Sequence, residues 1–345
     1  MPLSMLRFAG RRSATVLAVV SALSLWALPE ASAGPGPSSP PRISGPYVYQ
    51  NLDVYLVHGR DALAGRKLLP LARALTEKKV IVRETGTVSE LTIENLSDQE
   101  VFVQAGEIVK GGRQDRVLST DLVLPRRSGK VGVGSFCVEN GRWQKRGAEA
   151  ADRFASSESS LAHKDLKLAN RRGEQGEVWS SVARVQQKLA TNLKGEVRGA
   201  QSASSLQLTL ESDRVRRGVE GYVRALAPLL DAHPEAVGYA FAIDGELNSA
   251  ELYGSPALFR ELWPKLVRAS AVEAVAERTE GAPHTPPGLE AVRAFLDEAD
   301  EGATHAKPAL AGTRTIDRET SSRVVIETQE TARPNAWIHR SYLKK

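Results

Sequence analysis

The sequence predicts an α+β protein in which an antiparallel, β-rich amino-terminal part packs with a helix-covered β-sheet. Three observations point there: short alternating apolar runs between Leu52 and Glu139, amphipathic helical stripes between Ser180 and Leu296, and an Asp244-Gly245 turn flanked by two β-type runs.

Residues 1–33 read as a signal peptide. Arg7, Arg11 and Arg12 precede an apolar run from Ala14 to Leu28, and Ala31-Ser32-Ala33 offers a small-residue cleavage site before Gly34. The run is shorter than the roughly 20 residues a membrane helix needs. Export to the periplasm or the medium is therefore expected, with no stable membrane span in the mature chain. Residues 34–46, rich in Pro, Gly and Ser, read as a tether. The domain is expected over 47–345, β-rich in 47–145 and mixed in 146–345.

Strands are expected at Leu52 to His58 and Val80 to Glu84, with a short helix at Pro70 to Lys78 between them. Ser89 to Asn95 and Glu100 to Gln104 alternate in polarity around residues 96–99, a hairpin pattern. Further strands are expected at Glu107 to Lys110, Arg116 to Leu118, Asp121 to Leu124 and Lys130 to Glu139. Arg153 to Gly176 reads as charged and mobile. Helical stripes follow at Ser180 to Leu193, from Asp213 through Leu230, at Ser255 to Val275 with a kink expected at Pro264, and around Leu289 to Leu296. Asp244-Gly245 predicts a two-residue hairpin turn in which Phe241 opposes Asn248, Tyr239 opposes Ala250 and Val237 opposes Leu252. Closing strands are expected at Thr313 to Ile316, Arg323 to Thr328 and Ala336 to Leu343.

The formal charge of +5 falls to +3 once the three arginines and one acid of residues 1–33 are set aside. That balance predicts no nucleic-acid partner. Cys137 is the only cysteine, so no intrachain disulfide can form. Its alternation with Val131, Val133 and Ser135 marks a buried, inert thiol. The histidines at 58, 163, 233, 284, 305 and 339 show no ligand spacing, so neither a metal nor a cofactor is expected. His339 reads as a hydrogen-bonded sheet residue.

The densest polar chemistry lies between Gly106 and Trp143. Glu107, Asp115 and Glu139 are candidate catalytic carboxylates, suited in type to hydrolysis of a glycosidic or phosphoester bond. Arg113, Arg116 and Arg142, with Gly111, Gly112, Gln114 and Trp143, form a candidate site for an anionic ligand: guanidinium groups fork onto phosphate, glycine N–H groups can face an anion, and an indole can stack. The alternative is that acids and arginines neutralise one another as a structural network, the usual fate of buried charge.

Gly106-Glu107-Ile108-Val109, Gly111-Gly112-Arg113-Gln114-Asp115-Arg116 and Cys137-Val138-Glu139-Asn140-Gly141-Arg142-Trp143 resemble the signature of the ARG and rhodanese-phosphatase-superfamily-associated protein (ARPP-1) domain family. Gly238-Tyr239-Ala240, Tyr253-Gly254-Ser255-Pro256 and Trp337-Ile338-His339-Arg340-Ser341 extend the resemblance over nearly the whole mature chain. Asn140 stands where that pattern has Gln. The resemblance implies association with ADP-ribosylglycohydrolase and phosphatase-like proteins, and no particular reaction. Three functions follow as expectations: binding of an anionic small molecule such as ADP-ribose or a sugar phosphate, hydrolysis, or a non-catalytic interaction or structural role.

Overall fold

Most of the long apolar strands gather into one eight-stranded antiparallel sheet. In the computed structural model, which describes residues 41–161, 163–297, 303–307 and 310–345, its spatial order is β1 (Arg42–Tyr49), β2 (Leu52–His58), β12 (Ala236–Ile243), β13 (Glu246–Tyr253), β17 (Arg333–Lys344), β16 (Arg323–Glu330), β15 (Thr313–Glu319) and β14 (Ala303–Ala306). The expected signal peptide and residues 34–40 of the expected tether lie outside the described residues. Residues 42–46, read from composition as tether, instead belong to β1, with residues 42–44 paired to β2 and a bulge at 45–46.

β2 and β12 are buried on both faces because helices cover them from both sides. On one side α3 (Gln175–Asn192), α5 (Asp213–Leu226) and α7 (Pro256–Glu277) form the main core, where Tyr239, Phe259 and Trp263 pack ring against ring. On the other, α8 (Leu289–Asp297) buries Val292, Phe295 and Leu296 against Val57, Ala250 and Tyr342. The stripes read from the sequence are the buried faces of these helices, and Pro264 lies inside α7.

A second body is a closed six-stranded antiparallel barrel, in the order β10 (Gly129–Cys137), β5 (Glu90–Asn95), β4 (Val80–Glu84), β11 (Arg153–Ser160), β7 (Glu107–Gly111) and β8 (Arg116–Leu118). Alternation places Val82, Leu91, Ile93, Val109 and Val133 inside it. A three-stranded sheet of β3 (Leu68–Pro70), β6 (Glu100–Val103) and β9 (Leu122–Leu124) lies alongside. Residues Pro41–Lys345 form one compact unit, so the 47–145 and 146–345 halves are not separate layers: β1 and β2 belong to the large sheet and β11 to the barrel. Among the described residues, no helix is long and apolar enough to cross a membrane.

Three local expectations fail for identifiable reasons. β5 and β6 form no hairpin, because β4 and β10 already occupy both edges of β5 at Asn95. The Asn95 side chain then turns the chain away, donating to the Gln99 and Pro125 carbonyls and accepting from Ser97 N–H. Of the stretch Arg153 to Gly176, expected to be mobile, residues 153–160 form β11 and residues 164–172 the helix α2 (Lys164–Arg172); the serine-rich strand hides its role because Phe154 alone supplies most of its apolar bulk. The Asp244-Gly245 hairpin forms as expected, with positive φ at both turn residues. Its register slips by one beyond the turn: Phe241 opposes Ser249, Tyr239 opposes Glu251 and Gly238 opposes Leu252, with a bulge at Asn248.

Candidate functional site

The turn joining β7 to β8 and the loop after β10 bring Asp115 and Glu139 together, both fully buried. Arg146 donates to Asp115 through Nη1 at 2.7 Å and Nη2 at 3.2 Å, and Ser205 Oγ and Gly111 N–H each donate at 3.1 Å. Arg142 Nε sits 2.8 Å from both Glu139 oxygens, and Asp115 N–H reaches the same carboxylate at 3.3 Å. Glu149 completes the chain on Arg146 at 2.8 Å. Burial pushes the Asp115 carboxyl upward, against the pull of the Arg146 fork.

Little of the expected anion site remains available. Gly111 N–H is held by Asp115, and Gly112 N–H donates to the Ala150 and Arg153 carbonyls, so neither faces a ligand. A side chain at Gly112 would meet the Phe154 ring 2.3 Å away, which is why glycine stands there. Gln114 donates to the Glu139 carbonyl and accepts from Cys137 Sγ at 3.0 Å. Burial pushes that thiol up to about 11, in keeping with an inert cysteine. Arg116 is fully buried, bonded to the Gln114 carbonyl and 3.6 Å from Glu84. Only Arg113 and Trp143 reach the surface, the indole 43% exposed with the Arg113 and Arg116 guanidinium groups 5.3 and 5.7 Å from its centre.

Glu107 stands apart. Its carboxylate takes Lys265 Nζ of α7 at 2.8 Å, and four strand residues, roughly 13 Å, separate it from Gly111. Paired glycosidase carboxyls lie about 5–9.5 Å apart, so the geometry does not favour Glu107 and Asp115 as such a pair.

A second charged cluster brings together residues from distant parts of the chain. Glu251 and Tyr253 of β13 and His339 and Ser341 of β17 are paired positions in the sheet. The His339 ring lies between two carboxylates, Nδ1 2.7 Å from Asp121 and Nε2 2.9 Å from Glu251, and stacks on Tyr253 at 4.7 Å. Asp121, just ahead of β9, also accepts from Ala105 N–H at 2.6 Å and Thr328 Oγ1 at 2.8 Å; Lys167 of α2 reaches Glu251 at 2.7 Å. Burial opposes a charge on the imidazole, but Asp121 and Glu251 outweigh it and hold His339 up at about 9. Glu251, opposed by burial and drawn down by Lys167 and His339, falls to about 2.

This cluster borders a cavity of about 40 Å³, whose walls include Gly106, Asp121, Lys167, Arg171, Glu251 and His339. At roughly 10–15 Å³ per water, that is room for about three waters. Arg171, ion-paired with Asp317, keeps a buried Nε without a hydrogen-bond partner, and so does the buried Oδ1 of Asn170, another wall residue. The expectation for His339 as a hydrogen-bonded sheet residue holds. Asp121, Lys167 and Glu251 were missed, although Glu251 between Ala250 and Leu252 is a charge in a strand of small and apolar residues, a readable sign.

Gly106 and the Trp337–Ser341 stretch, both within the motifs read from the sequence, meet at this cavity. Comparison with curated proteins and with solved structures finds no match. The family model for the ARG and Rhodanese-Phosphatase-superfamily-associated Protein domain matches residues 41–343, nearly all of the folded region, and the chain therefore belongs to the ARPP-1 family.

Proposed function

We propose that this is an exported binding protein whose cavity beside His339 receives the small charged end of an anionic ligand, a phosphate or a carboxylate. One observation carries the reading: two buried polar atoms on wall residues, Arg171 Nε and Asn170 Oδ1, lack hydrogen-bond partners. Such atoms are costly unless something meets them. With His339 protonated, the walls bring Lys167, Arg171 and His339 together with Asp121 and Glu251, and Asp317 pairs with Arg171, so cations and carboxylates balance three to three. The volume admits only a terminal group, so a nucleotide or sugar would keep its body outside. The Gly106–Trp143 block takes the structural role, since its acids and arginines engage one another and its one guanidinium with an orphaned Nε, that of Arg116, is fully buried. Hydrolysis by Glu107, Asp115 or Glu139 has no such support.

Titration calorimetry and thermal melting of the full chain with inorganic phosphate, pyrophosphate, ADP-ribose and succinate test the proposal. Saturation at a hundred times Kd adds about 2.7 kcal/mol of stability. Arg171→Met should abolish that gain, and Trp143→Ala should preserve it. No response to any of the four, or loss on Trp143→Ala alone, defeats the reading. Export rests on the amino-terminal pattern, and mass measurement of the mature terminus checks cleavage before Gly34.

A further inference from the structure

The six histidines show no ligand spacing along the sequence, yet the fold gathers two of them. His58 closes β2, where it pairs in register with Arg42 and Ala236. His233 follows the short helix α6 (Leu229–Ala232), and Glu235 immediately precedes β12. Ligand atoms of His58, His233 and Glu235 all lie within 4.8 Å of one another. We infer that these three residues form a binding site for Zn²⁺, with at least one coordination position left to solvent.

Two features set the cluster apart from a chance surface group. The first is a contact a metal could take over: the buried Nδ1 of His58 lies 2.9 Å from Glu235 Oε1, an ion pair off regular hydrogen-bonding geometry. The second is an outer shell. Hydrogen bonds of 2.7 Å link His58 Nε2 to Ser44 Oγ and His233 Nε2 to the Tyr47 hydroxyl, and Tyr47 donates to Ser44 at 3.2 Å. Metal-bound imidazoles are characteristically held this way, with the second nitrogen fixing ring orientation. Two imidazoles and one carboxylate suit Zn²⁺, whereas Mg²⁺ and Ca²⁺ prefer all-oxygen sets. Half-buried His233 and exposed Glu235 leave a path for the ion.

Arg42 opposes this. It forms an ion pair with Glu235, placing a cation where the metal's charge would fall, but its side chain is 61% exposed and can turn into solvent. The competition supplies a diagnostic: removing Arg42 should tighten Zn²⁺ binding, an effect a plain salt bridge would not produce.

The experiment is competition for Zn²⁺ between the purified full chain and a chromogenic chelator, with Co²⁺ absorption reporting coordination. One Zn²⁺ per chain is expected. His233→Gln and Glu235→Gln should each weaken binding at least tenfold, Tyr47→Phe about tenfold, and Arg42→Ala should strengthen it. His305→Gln, far along the chain, should change nothing. Circular dichroism confirms that each variant is folded, and His233 and Glu235 are accessible enough to replace without emptying a core. Absence of stoichiometric binding, equal affinity in wild type and both His233→Gln and Glu235→Gln, or loss of binding in His305→Gln overturns the site.

Discussion

The Asp115–Glu139 cluster and the Asp121–Glu251 cluster each hold two buried carboxylates beside cations, yet they differ in where their members come from. Residues 111–149 supply nearly all of the first, with Glu84 and Ser205 as outliers, and most of its charges are matched at short range, Arg116 Nε being the exception. The second assembles residues 121, 167, 251 and 339 around one shared imidazole and borders a cavity. Charges close in sequence have every opportunity to satisfy one another. The cluster whose charges come from separate elements is the one that borders a cavity.

The comparison breaks most visibly at Arg146. Arg146→Ala should cost about 3–5 kcal/mol, because it leaves Asp115 buried with its main partner gone; urea unfolding at pH 7 measures it, and anion binding should survive in the folded fraction. A loss below about 1 kcal/mol would mean that the block is not the structural clasp described.

His339 gives the next largest effect and one that depends on pH. Its folded pKa of about 9 lies above the ordinary 6.5, so its contribution is complete below pH 6.5 and disappears as pH rises through 9. Glu251, lowered to about 2 from 4.5, contributes fully above pH 4.5 and loses that contribution as pH falls towards 2. The melting temperature should therefore decline between pH 7 and 10, and His339→Gln should lower it at pH 7 while flattening that decline. An equally steep decline in the variant would remove His339 as its source.

Cys137 sharpens the contrast by reporting opening of the first cluster. Its buried thiol, pushed up to about 11, should react with iodoacetamide at neutral pH at least about a hundredfold more slowly in the native chain than in urea. Comparable rates would place the thiol in the open. Trp143→Ala should have the smallest effect, under about 1 kcal/mol, since the indole is itself exposed and its long cation–π contacts gain little there; a larger loss in denaturant titration would show the indole to be part of the clasp.

Much of the fold was legible because it depends on local pattern. Helical stripes, the Asp244-Gly245 turn and strands such as Val80–Glu84 declare themselves through periodicity and turn chemistry. The misassigned β5–β6 hairpin illustrates the limit: alternation identifies strands but does not say that both edges of β5 are already taken. The site was less legible for the same reason. Local density drew attention to Arg113, Asp115 and Glu139, whereas Asp121 and His339 are 218 residues apart and share a hydrogen bond only because the turn ahead of β9 comes up against β17. Arg146, the partner that closes the first network, was overlooked although it lies only four residues beyond Arg142.

The place of β17 in the large sheet bears on how the molecule is made. It lies between β13 and β16, with four strands on one side and three on the other. Until residues 333–344 leave the ribosome, the two portions have no common strand, and Asp121 and Glu251 lack the imidazole that bridges them. In chain order β17 follows the other seven strands of this sheet, so the piece that joins the two portions and completes the charge cluster is the last of the eight to be made. A chain interrupted before Trp337 would carry two unjoined strand edges, a form open to misassembly and proteolysis rather than a smaller working version of the protein.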